Sequence, residues 1–418
     1  MSAFEEGHNE VLYNPFDEND AAEINSLSVY IQLFELFTHN KNLAKDVHMG
    51  HFDVPFEDYA KIEGLLMPNY ILRGEHSDFK ETATTAGAFR YKTSKELFYS
   101  EIGTANSIFN DFRIAKDAYY REVGHRLSEV ERENFTAFSQ HHGLVTNLLD
   151  VTYAPLTALF MACDKQDNEP AYVYIFEDYI DVTEVLEKFP EQNIVDLLCS
   201  QEKYAVTKLF DAILKQSNQY QFRQSSLLNC MKDLIDNIYE STITHGVSYS
   251  DLNFKKSDDA INATAKCLKC INEPLSFKNI DILRQLIKLI TETGHIELDI
   301  KYYSVPEELA YIYLVLLVFY LRRANKKGIG KYMPYMVYRP KLTFERARLQ
   351  QGFFIIQPFK SLYKNNNGIM LMQDIKHTKS IQVNNPSLIL QQLNAIGINK
   401  GMMYGDFDNI AKYIRSKY

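Results

Sequence analysis

The chain has 418 residues, 46% of them hydrophobic and 24% charged, which is the composition of folded domains and excludes a disordered chain. Its formal net charge is −9. That removes the global argument for a surface built to coat nucleic acid and leaves only a local basic groove open. Trp is absent while Tyr and Phe number 28 and 26, so aromatic cores are expected to supply much of the burial energy.

The opening MSAFEEGHNE is acidic and lacks an apolar run, so no secretory signal is read there. Residues 1–22 read as a flexible acidic arm. The spacing in INSLSVYIQLFELF predicts an amphipathic helix over Ile24 to Phe37, capped by Ser26 or Ser28. NYILRG (Asn69 to Gly74) reads as a short strand ending in an Arg-Gly turn. Ser128 and Glu131 form a capping-box pattern ahead of a helix bearing Phe135 and Phe138, with Gly143 as its C-terminal cap. Leu148 to Thr152 reads as a turn, and Pro155 opens the next helix, PLTALFMAC. AYVYIF, from Ala171 to Phe176, is a strong strand signal.

From about Val182 to Lys327 the pattern is almost all helical, with apolar spacings of three and four. The longest apolar run, Leu309 to Leu321, is too short to span a bilayer and predicts a buried helix ending at Arg322 and Arg323. Strand signals return at Tyr335 to Tyr338 and Phe353 to Pro358, with a turn at Asn365 to Gly368. Two helices, Ser387 to Ala395 and Asp408 to Tyr413, close the chain. The expected class is α+β: a small mixed or antiparallel sheet with flanking helices, interrupted by an all-α insertion. The boundaries read as 1–22, 23–180, 181–330 for the insertion, and 331–418.

Five Cys, at 163, 199, 230, 267 and 270, are an odd and sparse set that points to reduced thiols and the cytoplasm. Cys267-x-x-Cys270 has the spacing of half a zinc site, but no second pair exists, so two Cys on one helix face are the reading and no metal is expected. No Walker loop, GxGxxG, HExxH or Gly-x-Ser-x-Gly elbow is present.

Four segments carry a family resemblance. They are Leu72-Arg73-Gly74-Glu75, then Gly87-Ala88-Phe89-Arg90, then Gln140 to Thr152 with Pro155 to Leu159 after it, and finally Arg346-x-x-x-Gln350-x-Gly352-x-Phe354. The third resembles Gln-His-(Tyr/His)-Gly-x-x-Thr-x-Leu-Leu-Asp-x-Thr. Together they resemble the FRG domain, named for its Phe-Arg-Gly motif, over most of residues 24–180 and 335–418. Leu393, Gly397, Asp406 and Asp408 in the closing segment fit the family's terminal helices. Leu72 stands where the family has Phe, Asn147 where it often has Arg, and Val151 where it often has Trp.

The residues themselves suggest chemistry. Arg73 at a strand end can aim a planar fork at a phosphate, with Gly74 allowing close approach; alternatively it pairs inside the fold with Asp150 or Glu101. His141, at a helix end, can bond a ribose hydroxyl or act as acid or base, or serve as a core His. His142 reads as a wall residue. Asp150 caps the following helix, orients His141 or pairs with Arg73. Arg346 and Gln350 precede a strand, and Glu345 is the nearest carboxylate. The order of Arg, His and a late polar or acidic residue is similar to the ADP-ribosyltransferase arrangement. There an Arg or His anchors NAD, and a late Glu or Gln stabilises an oxocarbenium-like ribosyl centre.

The sequence therefore nominates His141, Asp150, Glu345 and Gln350 for catalysis and Arg73, Gly74, His142 and Arg346 for ligand binding. The expected ligand is a nucleotide or other phosphate-bearing small molecule, with NAD as substrate in ADP-ribosyl transfer or glycosidic cleavage. A bacterial toxin or phage-defence role fits such chemistry. Two rivals stand beside it: a non-catalytic nucleotide sensor that signals to a protein partner through the helical insertion, and a buried structural polar network. No membrane association is expected.

Overall fold

The computed structural model describes residues 20–34, 70–90, 112–165, 169–177, 179–190, 192–219, 228, 230–236, 266, 269, 281–285, 288, 305–323, 333–341, 348–364, 367–405 and 407–415. Among the described residues eight strands form one sheet: β1 (Ala21–Ile24), β2 (Tyr70–Glu75), β3 (Leu148–Thr152), β4 (Ala171–Glu177), β5 (Tyr179–Asp181), β6 (Tyr335–Tyr338), β7 (Gly352–Ile356) and β10 (Lys379–Val383). Their order is β1-β10-β4-β2-β3-β7-β6-β5. β1 runs parallel to β10 and β5 to β6, and the remaining pairs are antiparallel. β8 (Phe359–Lys364) and β9 (Asn367–Met372) make a separate hairpin. The α+β class and mixed pairing agree with the sequence; the sheet is larger than the small one expected.

The extra size comes from four strands outside those expected from the sequence: β1, β3, β5 and β10. Ala21 and Ala22, assigned to an acidic arm, belong to β1, because the edge of β10 offers them a parallel partner. Leu148 to Thr152 is a strand and not a turn. Asp150 is a poor strand former, but Leu149 and Val151 are fully buried and every residue of β3 pairs with β7, so tertiary pairing overrides local preference.

Helical residues 27–34 (α1) begin at Ser26, whose hydroxyl accepts from the Val29 N–H. The next helices are α2 (Phe112–Val123), α3 (Glu129–Glu133) and α4 (Phe135–His141). The Ser128–Glu131 capping box forms as read. Asn134 breaks α3 from α4, so the single expected helix is two. Gly143, at φ +91°, ends α4, with the Leu144 N–H reaching back to the Ser139 carbonyl. α5 (Pro155–Cys163) has Pro in its first turn as expected.

Between β5 and β6 run α6 (Thr183–Lys188), α7 (Ile194–Cys199), α8 (Lys203–Gln219) and α9 (Val305–Arg323). The Leu309 to Leu321 stretch of α9 is buried apart from the half-buried Tyr311, and Lys360 caps the end of α9 by donating to the Leu321 and Arg322 carbonyls. Among the described residues no helix is long and apolar enough to cross a membrane. α10 (Pro386–Ala395), α11 (Lys400–Tyr404) and α12 (Phe407–Arg415) close the fold.

Strand alternation divides the sheet into two unlike faces. Tyr70, Leu72, Val173, Ile175, Ile381 and Val383 pack under α1, α5 and α10. On the same face Leu148, Met336, Tyr338 and Ile356 pack under α7, α8 and α9. The opposite face carries Ile71, Leu149, Val151, Tyr153, Tyr174, Phe176, Val337, Phe353 and Ile355. Among the described residues its cover is the Ala83 and Ile375 loops rather than helices.

Candidate functional site

On β2 the period of two sends Leu72 and Gly74 to the helix-covered face and Arg73 and Glu75 to the loop-covered one. Gly74 is not at a turn, because β2 runs on through Glu75. A Cβ there would lie 2.1 Å from the Ala158 carbonyl oxygen and 2.5 Å from the Ala162 nitrogen. The room left by glycine is therefore filled by the backbone of α5.

Arg73 is buried. Its Nε donates to Glu75 Oε1 at 2.7 Å and its Nη1 to the Asp150 carbonyl at 2.9 Å. Glu75 Oε1 also accepts from the Thr84 N–H at 3.2 Å and lies 3.7 Å from Arg90 Nη2. Arg90 in turn donates through Nε to the Thr85 carbonyl at 2.9 Å and stands over the Phe79 ring. Glu75 Oε2 is buried and has no hydrogen-bond partner among the described residues. Directly across β4, Tyr174 pairs with Arg73. Burial raises the Tyr174 phenol well above its usual range, with the negative charges of Glu75 and Asp78 adding to the effect.

Asp150 points the other way. Leu72 is registered with Thr152, so Thr152 and Asp150 share the helix-covered face with Leu72, while Arg73 lies on the far side. Asp150 does not cap α5, whose N-cap is Ala154 without a side-chain bond. The Asp150 side chain is exposed although β3 is an interior strand, flanked by β2 and β7. It belongs to neither of the two hydrophobic clusters that the helices build on this face.

The Gln140 to Asp150 motif closes on itself around that carboxylate. Gln140 Nε2 donates to Asp150 Oδ1 at 3.0 Å, and the Thr146 hydroxyl donates to Gln140 Oε1. Thr146 Oγ1 accepts from the Leu148 N–H at 3.1 Å, which ties the loop to the start of β3. His141 is half-buried at the end of α4, its ring 5.2 Å from that of His142. His142 is exposed and lies against Phe138 at 4.4 Å. α4 is on the Asp150 side of the sheet, with Ala137 in the core there and Gln140 on Asp150.

Gln350 is buried, and its Nε2 donates to the Met403 carbonyl at 3.1 Å. Its own carbonyl accepts from the Thr152 hydroxyl at 2.8 Å. Met403 is packed in the α5 cluster, so Gln350 too works on the helix-covered side. Glu345 and Arg346 lie outside the described residues, as do Glu101, Cys267 and Cys270.

The structure thus brings Gln140, His141 and Asp150 to one side of β3 and sets Arg73 behind it. Arg73 touches Asp150 only through the backbone. Sequence reading placed Glu75 and Arg90 in family motifs without giving them a site role, and missed Tyr174 and His377. Glu75 had a signal, since it stands two residues along the same strand as Arg73. Arg90 had one in its motif segment, and Tyr174 and His377 are joined to the group only by folding.

Residues 68–170 match the family model of the FRG domain, a stretch that contains Arg73, Glu75, Gln140, His141 and Asp150. No curated protein and no solved structure matches the chain. Residues 68–170, where the Arg-Gly strand and the Gln-His-to-Asp loop are joined across β2 and β3, are an FRG domain.

Proposed function

We propose that the helix-covered face binds a phosphate-bearing nucleotide, NAD being the favoured one, and that Asp150 serves cleavage or transfer at its ribosyl carbon. The observation that carries this reading is the exposure of Asp150 in an interior strand. Interior strands between packed elements are ordinarily covered, and a carboxylate left open there is poised for a ligand rather than for the core. Gln140 fixes one oxygen, and the other oxygen has no hydrogen bond among the described residues. A fixed carboxylate is the group that stabilises an oxocarbenium-like centre as the nicotinamide–ribose bond lengthens. His141, one residue from Gln140, is the acid or base for the nucleophile. NAD consumption of this kind suits a bacterial toxin or phage-defence protein.

The test is nicotinamide release from NAD by the purified chain, beside Asp150→Asn and His141→Ala. Turnover by the wild type and its loss in Asp150→Asn support the reading. Absence of both turnover and NAD binding at millimolar concentration removes it. The internal commitment of Arg73 favours a second reading, in which the same opening binds a nucleotide without cleaving it and the helices between β5 and β6 signal to a partner. Thermal stabilisation by NAD that survives intact would select that one.

A further inference from the structure

The loop-covered face holds a second polar group that the first site does not use. Three rings lie in sequence there. Tyr172 and Tyr174 are stacked at 6.0 Å and 8°, and the His377 imidazole lies against Tyr174 at 4.5 Å and 30°. Tyr172 and Tyr174 are the cross-strand partners of Glu75 and Arg73. Beside them is the buried Glu75 carboxylate, with Oε1 saturated and Oε2 without a partner among the described residues. An acceptor buried in that state costs free energy unless a donor reaches it.

The position of His377 differs from that of its neighbours. Ile375 is buried and its carbonyl accepts from the Thr84 hydroxyl at 2.5 Å. Thr378 is tied through its N–H, at 2.8 Å, and its hydroxyl, at 2.9 Å, to the Ile175 carbonyl. The backbone on both sides of His377 is pinned. His377 itself is exposed; its partly desolvated ring makes no hydrogen bond among the described residues, stacks on Tyr174 and lies within reach of the Glu75 charge. A rotation about χ1 is enough to lift it away.

We infer that Tyr174 and Glu75 form a site for an amino-bearing nucleobase, which takes the place of the His377 ring on Tyr174 and donates a hydrogen bond to Glu75 Oε2. Stacking on an aromatic ring tolerates any base, so selectivity falls to the carboxylate, which accepts from an exocyclic amine and repels a carbonyl. Arg73 and Arg90 hold the carboxylate in place and supply no base contact. The site is separate from the Asp150 opening, on the other side of the sheet.

Calorimetric titration with adenosine, which carries no phosphate, tests it. Wild-type protein binds adenosine, and His377→Ala binds it about 2- to 10-fold more tightly because the competing stack is gone. N6,N6-dimethyladenosine, which lacks the amine protons, binds His377→Ala more weakly than adenosine does. The chain has no Trp, so His377→Trp places a single indole on Tyr174 as an independent reporter, and adenosine shifts its fluorescence on displacing it. No adenosine binding by either wild type or His377→Ala overturns the inference. So does equal affinity of the two proteins, or equal affinity of His377→Ala for the two nucleosides. The nicotinamide assay with Asp150→Asn is independent of all these outcomes.

Discussion

Two carboxylates stand back to back across the sheet. Glu75 on β2 is sealed under loops, and Asp150 on the neighbouring β3 is open between two helix-built cores. Arg73 contacts the carboxylate of one and only the backbone of the other, with Nε on the Glu75 carboxylate and Nη1 on the Asp150 carbonyl. The same residue chemistry is thus divided by burial. The closed carboxylate is paired with Arg73 and positioned by the Thr84 amide, while the open one faces solvent and is oriented by an uncharged amide.

The sharpest way to break this comparison is Arg73→Ala. It leaves Glu75 buried without its main cation, and breaking a buried pair from one side costs about 3–5 kcal/mol. The expected result is a large fall in the urea midpoint, with the slope of the transition unchanged. An unfolding midpoint close to that of wild type would show that Glu75 does not depend on Arg73, and the two faces would no longer differ in kind. Next in size is Gly74→Ala, which probes the helix side of the same strand. The new Cβ meets the α5 backbone, so α5 must move, at a cost of about 1–3 kcal/mol. The melting temperature should fall while adenosine binding on the far face persists.

Much of the local structure was legible. The capping box at Ser128, Pro155 at the start of α5, Gly143 after α4 and the β4 segment are all fixed by neighbours within a few residues. What was misread depends on distant partners. Gly74 resembles a turn glycine, yet its cause is a helix more than 80 residues later in the chain. Leu148 to Thr152 looks like a turn beside a proline, yet β7 supplies the pairing. The family motif located Arg73, Gln140 and Asp150 correctly in sequence but could not say that the arginine and the aspartate face opposite ways. That follows only from the register of Leu72 with Thr152. Gln350 was grouped with Arg73 on order alone, and the Met403 carbonyl claims its side chain.

A smaller effect is expected at Ser128, which belongs to neither face. Ser128→Ala removes the N-cap of α3 and should cost about 1 kcal/mol. The Ser128 N–H and hydroxyl hold the Glu131 carboxyl below its usual range. A depressed carboxyl contributes stability above its unfolded pKa and loses it as pH falls through the folded value. The difference in melting temperature between Ser128→Ala and wild type should therefore narrow on acidification below the ordinary carboxylate range. A gap that stays constant with pH would leave the hydroxyl cap alone as the source.

The smallest stability change, and the most telling contrast with Arg73, belongs to Asp150→Asn. The substitution keeps the shape and retains an oxygen for the Gln140 amide to donate to. The charge removed is exposed, and surface changes of this kind stay within about 0.5 kcal/mol. Nicotinamide release should vanish while the unfolding curve stays in place. A loss of several kcal/mol instead would mean that Asp150 is framework like Glu75. In that case the open carboxylate would be a second structural lock, and the two sides of β3 would share one role.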